Sequence, residues 1–226
     1  RIFNADGSEA MMCGNGIRCV GKYVYDKGHT DKTTVTIETK SGIKTLELKL
    51  GDDGKVALVS VEMGQAVIGE PVIASASCGY FYDEVTQSFG PSKRDHDEFP
   101  LLPIDMGNPH AVIFCNNAEK VDIEKVGPAL ERCGEFPEGV NVEFVQVLGK
   151  NELRMRVWER GSGVTMACGT GSCASVAAAI WAHKCTRNSD VTVHLDGGDL
   201  LVSIDLDNNV TMTGPAAFIC DGVTIE

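Results

Sequence analysis

Met12-Cys13-Gly14-Asn15-Gly16-Ile17-Arg18 and, in the second half of the chain, Ala167-Cys168-Gly169-Thr170-Gly171-Ser172 both place a Cys-Gly-x-Gly turn before a helix-like stretch. A sulfur at a helix N-terminus faces unpaired backbone N–H groups and the positive end of the helix dipole, which favour its anion. The glycines leave those N–H groups bare and let a ligand come close. Two such termini suit a carboxylate. If that carboxylate belongs to an amino acid, one thiolate removes the α-proton from one face and the other thiol returns a proton to the opposite face. The outcome is stereoinversion. The α-proton is less acidic than a thiol by roughly a dozen pKa units, at about 1.4 kcal/mol each. Fixed N–H donors in a dry site are the main means of lowering that barrier. Glu159, just before the second motif, is placed to meet an ammonium group.

Outward from the first motif, Ile17, Val20, Gly21 and Val24 recur at helical spacing up to Lys27-Gly28, where glycine stops the helix. Thr33 to Thr39 and Lys44 to Leu50 alternate around Ser41-Gly42 and predict a β-hairpin, with another strand over Val56 to Met63. Glu70 to Pro103 is mixed, with Pro71, Pro91, Pro100 and Pro103, and reads as a crossing between domains. Ile104 to Phe114 predicts strand-turn-strand around Gly107-Asn108-Pro109-His110, and Asp122 to Arg132 a short helix. Val140 to Leu148 and Leu153 to Trp158 predict paired strands. After the second motif, Ser172 to Ala182 is apolar or small on every side, a buried helix. Strands over Val191 to Leu195 and Leu200 to Leu206 follow, then Val210 to Met212. Cys19 and Cys173, inside the two helices, read as core.

Each half repeats one plot: loop, cysteine, helix, run of strands. The expected fold is α+β, two pseudo-symmetric domains, each a mixed or antiparallel sheet curved around a central helix. The expected division is residues 1–75 plus 214–226, carrying Cys13, and residues 76–213, carrying Cys168.

A net charge of -12 over 226 residues argues against a nucleic-acid partner, which calls for a basic stripe. No apolar run approaches the roughly 20 residues that cross a bilayer, so no membrane association is expected. Nine cysteines without a C-x-x-C pair match no common zinc site, and no metal is expected. Reduced thiols in a cytoplasmic enzyme fit best. A cysteine hydrolase would need one thiol and an oriented histidine, His110 being a candidate, and would leave the second motif without use. A redox pair of Cys13 and Cys168 would block acid–base chemistry.

Asn4-Ala5-Asp6-Gly7-Ser8-Glu9 through Cys13-Gly14-Asn15-Gly16-Ile17-Arg18-Cys19 resembles the diaminopimelate epimerase signature. Met106-Gly107-Asn108-Pro109-His110, Glu138-Gly139-Val140-Asn141-Val142, Glu159-Arg160-Gly161 through Gly171, and Gly214-Pro215-Ala216 match the same family in order. The resemblance implies a cofactor-independent enzyme interconverting L,L- and meso-diaminopimelate, on the route to lysine and peptidoglycan. Cys13 and Cys168 would be the two bases. Gly14, Asn15, Gly169 and Thr170 would hold the reacting carboxylate through backbone N–H groups. Asn4, Asn108, Asn141 and Arg160 would hold the distal end, Arg160 by a forked contact. Glu159 would serve the ammonium and His110 would support catalysis, although His110 after Pro109 also reads as a turn residue.

Two departures stand out. Family members carry a stretch before the position of Arg1, so the first domain is expected to lack its opening strands and leave apolar helix surface uncovered. Cys220 stands where an aromatic is common, near an expected homodimer contact. Alternative readings are another racemase of the same fold, of proline or hydroxyproline type, and an inactive truncated fragment.

Overall fold

Cys13 caps helix α1 (Gly14–Asp26) in the computed structural model, which describes residues 1–3, 7, 9, 11–74, 80–83, 88–91 and 99–222. At the far end Gly28 adopts φ +75°, and the N–H groups of Lys27, Gly28 and His29 close on the carbonyls of Tyr23, Tyr25 and Val24. This is the predicted glycine stop. Gly14, Ile17, Arg18 and Gly21 form the buried stripe. Cys19, expected in the core, is exposed, and so is Val20. At 100° per residue, Cys19 and Val20 lie about 150° and about 110° from the centre of that stripe. The helix is narrower in its apolar contact than the spacing of Val20 implied.

The hairpin forms as expected from β1 (Thr34–Thr39) and β2 (Gly42–Leu50), and β3 (Val56–Gln65) pairs with β2 antiparallel. Leu46, Leu48 and Val59 point from these strands at Gly21 of α1. The chain divides into two compact units, Arg1–Glu62 with Thr213–Glu226, and Met63–Met212. It passes between them inside β3 and inside its last strand. The boundary expected after residue 75 borders residues 75–79, outside the described set, whereas residues 63–74, expected in the first domain, group with the second unit.

The second unit continues with β4 (Val67–Ile68), β5 (Val72–Ala74), β6 (Tyr80–Asp83), β7 (Ser88–Pro91), β8 (Phe99–Asp105) and β9 (Pro109–Phe114). Next come α2 (Ile123–Glu131), β10 (Asn141–Gly149), β11 (Glu152–Glu159), β12 (Gly163–Thr165) and α3 (Gly169–Trp181). Strands β13 (Val191–Leu195), β14 (Gly198–Ile204) and β15 (Asn209–Pro215) complete the order. Strands β4 to β7 and the start of β8 were not foreseen. Those of two to four residues are too short to show alternation, and prolines interrupt the text. Pro103 cannot donate to a ladder, yet its carbonyl accepts the Gly69 N–H at 2.9 Å.

The sheet of this unit is mixed, as expected. Strand β10 runs parallel to β9 and antiparallel to β11, while β11 runs parallel to β13. Helix α3 packs against β8, β9, β10, β11, β13 and β14. Being covered by strands explains its lack of a polar face: residues 171–180 are all buried. Ser172 and Ser175 are tolerated there because their hydroxyls donate to the carbonyls of Cys168 and Gly171, at 2.9 and 2.7 Å. Helix α2 covers the other face of the sheet through Ile123, Val126 and Leu130, packed with Ala111, Ile113, Val142 and Phe144. Residues 141–145 of β10 are therefore buried on both faces. Val142 and Phe144 turn to α2, and by period-two alternation Asn141, Glu143 and Val145 turn to α3.

Candidate active site

The two cysteine motifs fold alike. Cys13 caps α1 with φ -131° and ψ 114°, and Cys168 caps α3 with φ -126° and ψ 114°. Each sulfur accepts the N–H of the glycine three residues on, Gly16 at 3.4 Å and Gly171 at 3.3 Å. This is the hydrogen bond a serine or aspartate makes at an N-cap, made here by sulfur. The amides of Gly14 and Asn15 in α1, and of Gly169 and Thr170 in α3, occupy first-turn positions, ahead of the helix's own hydrogen-bond ladder.

Cys168 is almost fully buried, and Cys13 partly so. Burial pushes the Cys168 thiol well above its ordinary pKa, and the charge of Glu159 pushes it further. The Thr170 hydroxyl and the Gly171 N–H oppose the shift. The helix terminus alone argued for an anion, but here desolvation and the nearby Glu159 win. Cys168 rests as a thiol, the form that can give up a proton.

Around Cys168 the second unit gathers most of the expected residues. Thr170 Oγ1 lies 3.6 Å from the sulfur, and Asn108 Nδ2 donates to that oxygen at 3.4 Å. His110 Nε2 is 3.2 Å from Asn108 Oδ1, and its Nδ1 is 2.6 Å from Glu143 Oε1. Asn108 can reach both partners because it ends a tight turn between β8 and β9. There Gly107 takes φ +90° and donates its N–H to Asp105 Oδ1 at 2.7 Å.

Asn141 works as a brace. Its Nδ2 donates to the Pro109 carbonyl at 3.0 Å and its Oδ1 accepts the Arg160 N–H at 2.9 Å. The exposed Arg160 side chain donates from Nη1 to the carbonyls of Glu138 and Gly139, both at 3.3 Å. Glu159, at the end of β11, accepts the Thr165 hydroxyl of β12 at 2.5 Å.

In the first unit Asn15 Oδ1 and the Gly14 carbonyl accept from the buried Arg18 guanidinium, at 3.1 and 3.2 Å. Arg18 Nε also donates to the Pro215 carbonyl at 3.3 Å. Asn4 lies outside the described residues. Sequence reading missed Arg18, Glu143 and Thr165. Glu143 carried no signal: in Val140-Asn141-Val142-Glu143-Phe144 apolar and polar residues alternate, as on a strand with one wet face. Among the described residues no three His, Cys, Asp or Glu side chains gather as a metal site would require. No helix among them is long and apolar enough to cross a membrane.

The family described as diaminopimelate epimerase matches residues 1–69 and 103–219, segments that hold both cysteine motifs. A diaminopimelate epimerase from Phocaeicola vulgatus is 50% identical over 223 residues, covering 98% of this chain and 76% of the relative. One from Desulfitobacterium hafniense is 46% identical over 226 residues, covering 100% of this chain and 77% of the relative. Among solved structures, a probable proline racemase from Agrobacterium radiobacter with bound carbonate superposes with a TM-score of 0.69. It is 17% identical, covering 99% of this chain and 70% of that one, which speaks to the fold alone. Similarity of this order through both motifs leaves one assignment: the chain belongs to the diaminopimelate epimerase family.

Proposed function

We propose that this chain interconverts L,L- and meso-diaminopimelate without a cofactor, by a two-thiol mechanism. The observation that carries it is the matched cap geometry of Cys13 and Cys168, two sulfurs bound to helix N-termini in the same way. In one direction a Cys13 thiolate takes the α-proton and the Cys168 thiol returns one to the other face; in the reverse direction the roles exchange. The raised thiol pKa of Cys168 suits it to the acid role. First-turn amides at Gly14, Asn15, Gly169 and Thr170 would hold the reacting carboxylate and stabilise the charge that grows on it. Glu159 would meet the ammonium, and Asn4, Asn108, Asn141 and Arg160 the distal end. His110 acts from behind Asn108. A cytoplasmic homodimer serving lysine and peptidoglycan synthesis completes the reading, and light scattering would test the assembly.

The test is exchange of the α-proton of L,L-diaminopimelate in heavy water under reducing conditions. Exchange is expected in the parent chain and lost in Cys13→Ala and Cys168→Ala. Full activity in both variants would overturn the two-thiol mechanism. A panel including proline and hydroxyproline tests the substrate, since turnover of those instead would mark a different racemase. Binding of diaminopimelate without exchange would mark an inactive chain.

A further inference from the structure

Glu143 stands in the middle of β10 with its side chain wholly removed from solvent. One oxygen, Oε1, lies 2.6 Å from His110 Nδ1, and the other has no hydrogen-bond partner among the described residues. As a stabilising device this is poor. A buried ion pair adds little net stability even when its hydrogen bonds are complete, and an unsatisfied buried oxygen costs on the order of 1–3 kcal/mol more. An apolar side chain between Val142 and Phe144 would serve the core better. The position of the carboxyl group gives it another use. A Cβ on Gly171 would meet Glu143 Oε1 at 2.7 Å and Cys168 Sγ at 3.2 Å. Carboxyl and thiol therefore border the same small space, within about 6 Å of each other.

From Glu143 a hydrogen-bonded chain leads back to that sulfur through His110, Asn108 and Thr170. Its direction follows from counting hydrogens. Asn108 Nδ2 donates to Thr170, so Oδ1 faces His110 and Nε2 must carry a hydrogen. Thr170 Oγ1, having accepted from Asn108, has its own hydrogen to give to the Cys168 sulfur. Every donor then points toward Sγ, provided His110 is the Nε2–H tautomer with Nδ1 as an acceptor. Burial drives the Glu143 carboxyl above the usual carboxylate range against the pull of His110, and the charge of Glu159 adds to the rise. Burial and the Glu159 charge both favour the neutral carboxyl group, whose hydrogen Nδ1 can accept.

We propose that Glu143 is a positioning residue for the reaction: its carboxyl group donates to His110 Nδ1, holds the ring as the Nε2–H tautomer, and so turns Asn108 and Thr170 into donors toward Cys168. The kinetic side of this rests on the reading that Cys168 exchanges the α-proton; the tautomer does not. Glu143 needs no contact with substrate. Its effect is to help the sulfur carry charge as the thiolate that takes up a proton, partly offsetting the burial that favours the thiol.

The experiment compares Glu143→Gln, whose amide can donate to Nδ1, with Glu143→Leu, which cannot. Side-chain ¹⁵N NMR, with His110→Gln assigning the signal, should show the Nε2–H tautomer in the parent and in Glu143→Gln, and a mixture in Glu143→Leu. For folded Glu143→Leu, kcat should fall about 10- to 100-fold with KM within about threefold, and Glu143→Gln should recover most of the loss. If Glu143→Leu does not fold, Thr170→Val breaks the chain at its other end and should lower kcat by a like factor. An Nδ1–H or doubly protonated ring in the parent overturns the proposal. So does parental kcat in Glu143→Leu or Thr170→Val, or a Glu143→Gln variant as impaired as Glu143→Leu. A parent with the Nε2–H tautomer and no α-proton exchange would instead count against the proposed function.

Discussion

Alanine at Gly171 should damage the site, while alanine at Gly16, its counterpart in the first motif, should not. At 171 the added Cβ would sit 2.7 Å from Glu143 Oε1, 3.2 Å from Cys168 Sγ and 3.3 Å from Cys168 Cβ. The first contact is about 0.7–1.3 Å short of ordinary separation. The oxygen cannot swing aside without stretching its 2.6 Å contact with His110 in a wholly buried place. Either the carboxyl or the sulfur must move. At 16 the nearest described atoms are Cys13 Cβ, Cys13 Sγ and Ile2 Cδ1, all at 3.6 Å, which is ordinary contact. Alanine gains up to about 1 kcal/mol over glycine in a helix, whereas overpacking costs about 1–3 kcal/mol. Gly171→Ala should therefore lose about 0–2 kcal/mol and Gly16→Ala gain a fraction of one. At about 2–4 °C per kcal/mol, the two melting temperatures should part by several degrees. Misplacing a reacting group by about 1 Å costs about 100-fold, so kcat of Gly171→Ala should fall about 10- to 100-fold and that of Gly16→Ala by less than about threefold. Thermal melts and α-proton exchange read both quantities. Equal losses in the two variants, or parental kcat in Gly171→Ala, would refute the steric argument.

Gly127 of α2 packs directly on Trp158, where a Cβ would fall 2.5 Å from the indole Cγ. The ring is tied down by Nε1 donating to Glu131 Oε2 at 2.7 Å. Gly127→Ala should cost about 1–3 kcal/mol, lower Tm by several degrees and shift the Trp158 fluorescence; an unchanged melt would contradict the close approach. His194 lies between Asp199, 2.7 Å from Nδ1, and Glu152, 3.0 Å from Nε2, and hydrogen bonds to Asp199 and then Glu152 raise its pKa. A raised folded-state pKa means its stabilisation is fully present below the unfolded value of about 6.5 and is lost as pH rises through the folded value. The Tm gap between the parent and His194→Gln should be widest at the acid end of that window and close as pH rises. A gap that widens with pH would overturn the assignment.

Several elements were legible because their causes are local. The caps of α1 and α3 need only a cysteine followed by glycines, and the Gly28 stop needs only a residue content with positive φ. The hairpin at Ser41-Gly42 and the turn at Gly107 declare themselves the same way. The short strands between Val67 and Pro91 did not, because two to four residues carry no period and their pairing is decided by β8 and by each other. Cys19 was misplaced because helical spacing tells which residues share a face but not how wide a stripe the facing strands Leu46, Leu48 and Val59 will cover.

The amino-acid sequence by itself determined the family, the α+β class and the two thiols set on helix N-termini, since motif, cap and turn all act over a few neighbouring residues. Only the tertiary structure decided the state of Cys168. A helix terminus favours the anion, but burial by the surrounding sheet, with Glu159 delivered from β11, reverses the balance. It likewise decided that Glu143, which alternation would have turned to solvent, lies behind His110 and beside the sulfur. Electrostatic free energy depends on distance and on exclusion of water, and both are set by strands far apart in the chain.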